Sequence, residues 1–208
     1  MGHFYCAKIL NIEVEQIIIY PLGGISKLKM PLNIPIFKEF LVVLMGPIFQ
    51  CLAYLILIYL LPSYREEITF YHYNILIFNL LPIYPLDGGK IINLLLSIYL
   101  SFKMSFKITI IISYIMVILL IIINLRNINI NILLIISFLL YKINIESKQI
   151  NLYYNKLLLE RYLNKPRFSK SIIIDSINKF HRNKYHLIKI ADSYYLEEEL
   201  LAKYYKKD

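Results

Sequence analysis

A chain of 208 residues, 58% of them hydrophobic and with a mean hydropathy of +0.57, is too apolar for an ordinary soluble domain. Its formal net charge of +9 sits beside apolar runs, not along one stripe with interleaved aromatics, which excludes a nucleic-acid surface and favours loops beside a bilayer. Cys6 and Cys51 have no partner at metal-ligand spacing and read as buried, unpaired thiols, while Met1 to Leu10 lacks the basic region and apolar run of a cleavable signal peptide.

Val14 to Tyr20 is rich in β-formers, and Pro21, Gly23 and Gly24 follow as a turn, so a short strand or hairpin is predicted ahead of the first apolar run. Four uncharged runs come next. Phe40–Leu61 gives 22 positions, enough to cross a bilayer as a helix. Ile68–Leu86 holds His72, Asn74, Asn79, Pro82 and Pro85, so its end cannot be regular helix and it reads as a broken span lining something polar. Ile108–Leu125 is a third span, and Asn127–Tyr141 a fourth that is short for a full crossing. Lys27, Lys29, Lys38, Lys103, Lys107 and the basic tail alternate with loops whose basic residues are Arg65 and Arg126, which predicts a cytoplasmic C-terminal tail. In that tail, helix is expected around Leu152–Leu163 and Ser171–His181, a strand at Tyr185–Ile190, and a solvated helix where Glu197–Glu199 face Lys203–Lys207. The fold class is therefore an all-α polytopic membrane protein with about four transmembrane segments, a small β-hairpin-like membrane loop and a small α+β cytoplasmic tail. The division is a membrane-embedded core at 1–143 and the tail at 144–208.

Asp87 is the residue that needs an explanation. It follows an apolar run and precedes Gly88, Gly89 and the apolar Ile91–Leu100. One reading is a helix N-cap. The other is a metal ligand at a protein-lined break, because ionisable groups within a membrane are costly and usually functional. His72 reads as interfacial, and His181 and His186 follow no zinc spacing.

The run Asn79-Leu80-Leu81-Pro82-Ile83-Tyr84-Pro85-Leu86-Asp87-Gly88-Gly89 resembles the Asp-Gly motif of the site-2 protease family, peptidase M50, in a compact bacterial branch that includes sporulation proteases. The resemblance implies that Asp87 is the third zinc ligand, with Asn79, Pro82, Pro85 and Gly88 supporting the active site. The family's other motif is His-Glu-x-x-His, in which histidines four apart share one helix face and the glutamate activates the bound water. Met1-Gly2-His3 matches the last three positions of such a motif, so by resemblance His3 is its second histidine, and Tyr20-Pro21-Leu22-Gly23-Gly24 follows at the family's distance. The first histidine and the general-base glutamate have no residue in the chain. Either the start falls at a methionine inside a longer His-Glu-Met-Gly-His frame, the reading we prefer because it restores a whole helix, or the chain is a truncated, inactive relative. Met45-Gly46-Pro47 resembles the family's Gly-Pro segment, and Gln50, where asparagine is the family's residue, fits an interhelical hydrogen bond as well as a site contact.

What the resemblance implies is an intramembrane zinc metalloprotease with Zn2+ as cofactor, cutting membrane-associated protein substrates near the cytoplasmic face, a sigma-factor precursor being the family's example. Gly23 and Gly24 would then border a loop that binds extended substrate by strand addition. Its partners would be that substrate, the lipid bilayer and membrane regulatory proteins, with no nucleic acid, in a bacterial cell membrane. The tail resembles C-terminal extensions of Gram-positive relatives and is too short for a pair of nucleotide-sensing modules. A non-catalytic pseudoprotease or membrane scaffold that binds clients is the alternative.

Overall fold

The computed structural model describes residues 2–12, 14–20, 23–28, 31–126, 129–166, 168–190 and 193–205, with the backbone alone for 14–20 and 23–28. Helix α1 (Gly2–Ile9) leads into an antiparallel hairpin of β1 (Val14–Tyr20) and β2 (Gly23–Leu28), in which Tyr20 faces Gly23 and Ile19 faces Gly24. The hairpin stands where the β-forming run predicted it; Pro21 lies outside the described residues. Helix α2 (Ile36–Leu60) starts directly after Pro35 and carries Pro47 inside it. α3 (Arg65–Leu80), α4 (Asp87–Tyr99), α5 (Phe102–Asn124) and α6 (Ile130–Asn164) follow.

Among the described residues, three helices are long and apolar enough to cross a membrane: α2, α5 and α6. The second expected span is different: α3 has 16 residues, roughly 24 Å of helix, and falls short of the hydrocarbon thickness. Its prolines turn the rest of that run into a non-helical link before α4. The fourth run is the beginning of α6, whose 35 residues outreach a bilayer and carry the chain on into the tail. The boundary drawn at 143/144 lies inside this helix. Leu55, Ile56, Ile118, Ile122, Leu133 and Leu134 face outward and are exposed, as a lipid-facing surface requires. This is the construction of an integral membrane protein.

Between α4 and α5 runs a buried polar seam. Ser97 Oγ donates to Ser105 Oγ at 3.0 Å, Asn93 Nδ2 to Thr109 Oγ1 at 3.3 Å, and the Tyr84 backbone N–H to Ser113 Oγ at 2.8 Å. Small hydroxyl residues let the helices approach and satisfy the backbone freed at the break. Gln50 Nε2 donates to the His72 carbonyl at 3.1 Å, an interhelical bond. His72 is buried, its ring stacked on Tyr54 at 4.2 Å. Cys6 is buried and Cys51 half-buried, both unpaired.

The tail holds a three-stranded sheet in the order β3 (Ser171–Ile174), β4 (Tyr185–Ile190), β5 (Ser193–Leu196), then α7 (Glu197–Tyr205). The expected helix at Ser171–His181 is instead a strand and a single 3-10 turn at Ile177–Lys179. Three successive isoleucines, stiff at χ1, pair in parallel with β4, and Asp175-Ser176 ends the run. Glu197 is not solvated: it is 5% exposed and pairs with Arg161 of α6 at 2.9 Å. Phe180, Ile188 and Leu201 join Phe102, Phe106 and Leu157 in one core, so tail and membrane helices pack as a unit.

Candidate metal centre

Asp87 opens α4 as its first helical residue; the N-cap is Leu86, and no side chain caps this helix. The N-cap reading therefore fails, and the carboxylate is free for other work. What positions it is the pair of glycines behind it. A β-carbon on Gly88 would collide with the Leu80 and Leu81 carbonyls, and one on Gly89 with the Ile83–Tyr84 backbone. Only glycine lets α4 begin pressed against the turn that ends α3.

His3 reaches the same point from the other end of the sequence. α1 lies against α2 so closely that a β-carbon on Gly2 would strike the Met45 carbonyl. The His3 Nδ1–H donates to the Val42 carbonyl at 2.8 Å, which holds the ring with Nε2 facing Asp87. Nε2 stands 3.4 Å from Asp87 Oδ2, and Lys90 Nζ is 3.4 Å from the other carboxylate oxygen. Gly46 of α2 faces the pair: a β-carbon there would overlap the imidazole and lie 3.0 Å from Asp87 Oδ2.

This geometry suits a metal. Two ligands about 2.0–2.1 Å from a tetrahedral zinc are roughly 3.3 Å apart, close to the separation observed. The set is incomplete: among the described residues no group of three or more His, Cys, Asp or Glu converges for a metal. Beside the pair opens a cavity of about 380 Å³, whose lining includes His3, Lys90, Tyr153, Lys156 and Arg182.

The tail contributes Arg182 to that lining. Arg182 Nη2 donates to Glu39 Oε2 at 2.5 Å and to the Ile34 carbonyl at 3.3 Å. Behind it, Arg161 donates to Asn33 Oδ1, to the Lys184 and His181 carbonyls and to both oxygens of Glu197. His186 Nε2 accepts the His181 backbone N–H at 2.9 Å, so its proton sits on Nδ1 and goes to Glu197 Oε2 at 2.8 Å. Burial lowers the pKa of His186 and, with nearby cations, pushes that of His181 down to about 4. Burial alone would raise the Glu197 carboxyl, but the His186 hydrogen bond and the Arg161 charge hold it below its ordinary value. The cluster is a carboxylate, a neutral imidazole and a guanidinium, each satisfied by the others.

Of the residues singled out in the sequence, the structure brings His3 and Asp87 together. Pro82 and Pro85 form the turn before α4, and Gly88 packs beneath Asp87. Asn79 is half-buried on the last turn of α3, and its side chain makes no hydrogen bond among the described residues. Gly23 and Gly24 lie in β2, and the hairpin contacts α1. Sequence reasoning missed Lys90, Glu39, Lys156 and Arg182, which carry no local signal. It also missed the seam, whose spacing Ser105-x-x-x-Thr109-x-x-x-Ser113 was visible.

Residues 63–123 match the model of peptidase family M50. The stage IV sporulation protein FB of Bacillus subtilis is 34% identical over 103 residues, covering 47% of this chain and 36% of that protein. A zinc metalloprotease of Methanocaldococcus jannaschii is 28% identical over 106 residues, 47% of this chain and 30% of its own length. The chain thus spans about a third of the length of the curated relatives it matches. The solved site-2 protease from M. jannaschii shares the fold, with a TM-score of 0.56 and 23% identity over 70% of each chain.

Proposed function

We propose that the chain belongs to peptidase family M50, whose model matches residues 63–123, and that it is the membrane-embedded core of a zinc peptidase that hydrolyses membrane-associated proteins near the cytoplasmic face. The observation that carries this is His3 Nε2 at 3.4 Å from Asp87 Oδ2, with Nδ1 held on the Val42 carbonyl. Zinc bound there would polarise the scissile carbonyl and lower the pKa of a water. The chain's own residues do the rest. Val42 orients the imidazole, Gly46 leaves it room, and Lys90 balances the carboxylate. Substrate would lie extended in the cavity beside them, because a helical peptide keeps its carbonyls bonded, and an edge of the β1–β2 hairpin next to α1 suits strand addition. We read Asn79, Pro82 and Pro85 as support for the break, α3 with its link as the second of four crossings, and the tail as cytoplasmic. A sigma-factor precursor is the first substrate to try.

The 208 residues contain no His-Glu-x-x-His, so a third ligand and a general base would have to come from beyond them. That same fact favours the second reading, a client-binding scaffold without activity. Reading the coding DNA upstream of Met1 in frame, then assaying the extended chain on a membrane-tethered reporter, separates the two. A His-Glu pair immediately before Met1 and chelator-sensitive cleavage are expected. A stop codon or unrelated codons, with no cleavage, would leave the scaffold.

A further inference from the structure

A second cavity, of about 520 Å³, opens between the start of α2, the end of α4 and the tail. One wall is apolar: Phe37, Leu95 and Ile98 are 69%, 49% and 44% exposed and continue the lipid-facing surface. The other wall is basic, with Lys170, Arg182 and Lys184, and among the described residues its lining holds no carboxylate. Arg182 is 3% exposed and its guanidinium is held by Glu39 and the Ile34 carbonyl, so the accessible cations of this wall are Lys170 and Lys184. Lipid-facing apolar side chains on one wall and unopposed ammonium groups on the other ask for a ligand that is apolar at one end and anionic at the other.

We propose that this cavity binds an anionic phospholipid. Its phosphate meets Lys170 and Lys184, and its acyl chains lie along Phe37, Leu95 and Ile98. The site fits the headgroup depth, since α2 begins there beside Lys38 and the aqueous tail supplies the cations. Arg182 also grips Glu39 at the mouth of the cavity next to His3, so an occupied lipid site would brace the tail over the metal centre.

The protein has no tryptophan, so Phe37→Trp supplies a single reporter at an exposed position. In vesicles, brominated phosphatidylglycerol is expected to quench this indole with about tenfold higher affinity than brominated phosphatidylcholine at equal mole fraction. Lys170→Glu/Lys184→Glu should abolish the preference, whereas the same charge change at Lys189 and Lys203, exposed elsewhere on the tail, should keep it. Equal quenching by both lipids would overturn the proposal. So would loss of preference in both double variants, which would mean general surface charge, or displacement by inorganic phosphate alone, which would assign the rim to a soluble anion.

Discussion

Gly46→Ala is expected to cost at least about 100-fold in zinc affinity while leaving the protein folded. The added methyl overlaps the His3 ring and crowds Asp87 Oδ2 at 3.0 Å, so the imidazole must swing off the carboxylate. Disturbing a residue that merely orients a ligand costs roughly 10–100-fold, and here a ligand itself is displaced. Stability moves little, because alanine is about 1 kcal/mol better than glycine inside a helix and crowding costs roughly 1–3 kcal/mol. Zinc titration and thermal unfolding in the same detergent read the two effects separately. Full zinc affinity in this variant would mean that His3 and Asp87 do not bind the ion together.

Arg161→Met is expected to destabilise the tail by about 3–5 kcal/mol, the usual cost of leaving one charge of a buried pair alone. Glu197 would stay buried with only His186 to bond, and the Lys184 and His181 carbonyls and Asn33 Oδ1 would lose their donor. Adding Glu197→Gln removes the stranded charge while keeping an acceptor for His186, so the double variant should recover part of the loss. Thermal unfolding and limited proteolysis of the tail report both. If the single variant matched the wild type, the cluster would contribute no stability. Because Arg182 stands just beyond this cluster on Glu39, a loosened tail should also open the cavity beside His3.

The hairpin, the break before α4 and strand β4 were legible because each has a local cause: β-forming residues next to glycines, prolines closing an apolar run, alternation at Tyr185–Ile190. Asp87 stood out for the cost of its charge, and the structure decides against the N-cap by giving that place to Leu86. Ser171–Ile174 was misread because three isoleucines suit either element, and the choice is made by a partner strand eleven or more residues away. Glu197 looked solvated among Glu198 and Glu199. Nothing near it in sequence announces that Arg161, one helix earlier, will bury it. The cavity joins residues 3, 90, 153 and 182, a grouping that only tertiary packing creates.

The central claim is that His3 and Asp87 hold one zinc ion between them. Competitive titration of zinc against a chelating dye tests it, with the wild type, His3→Asn, Asp87→Asn and the double variant compared in one detergent. Each single substitution should weaken binding by about 100-fold or more, and the double should lose little beyond either, since two groups on one ion are not additive. Unchanged affinity in either single variant, or losses that simply multiply, would contradict a shared site.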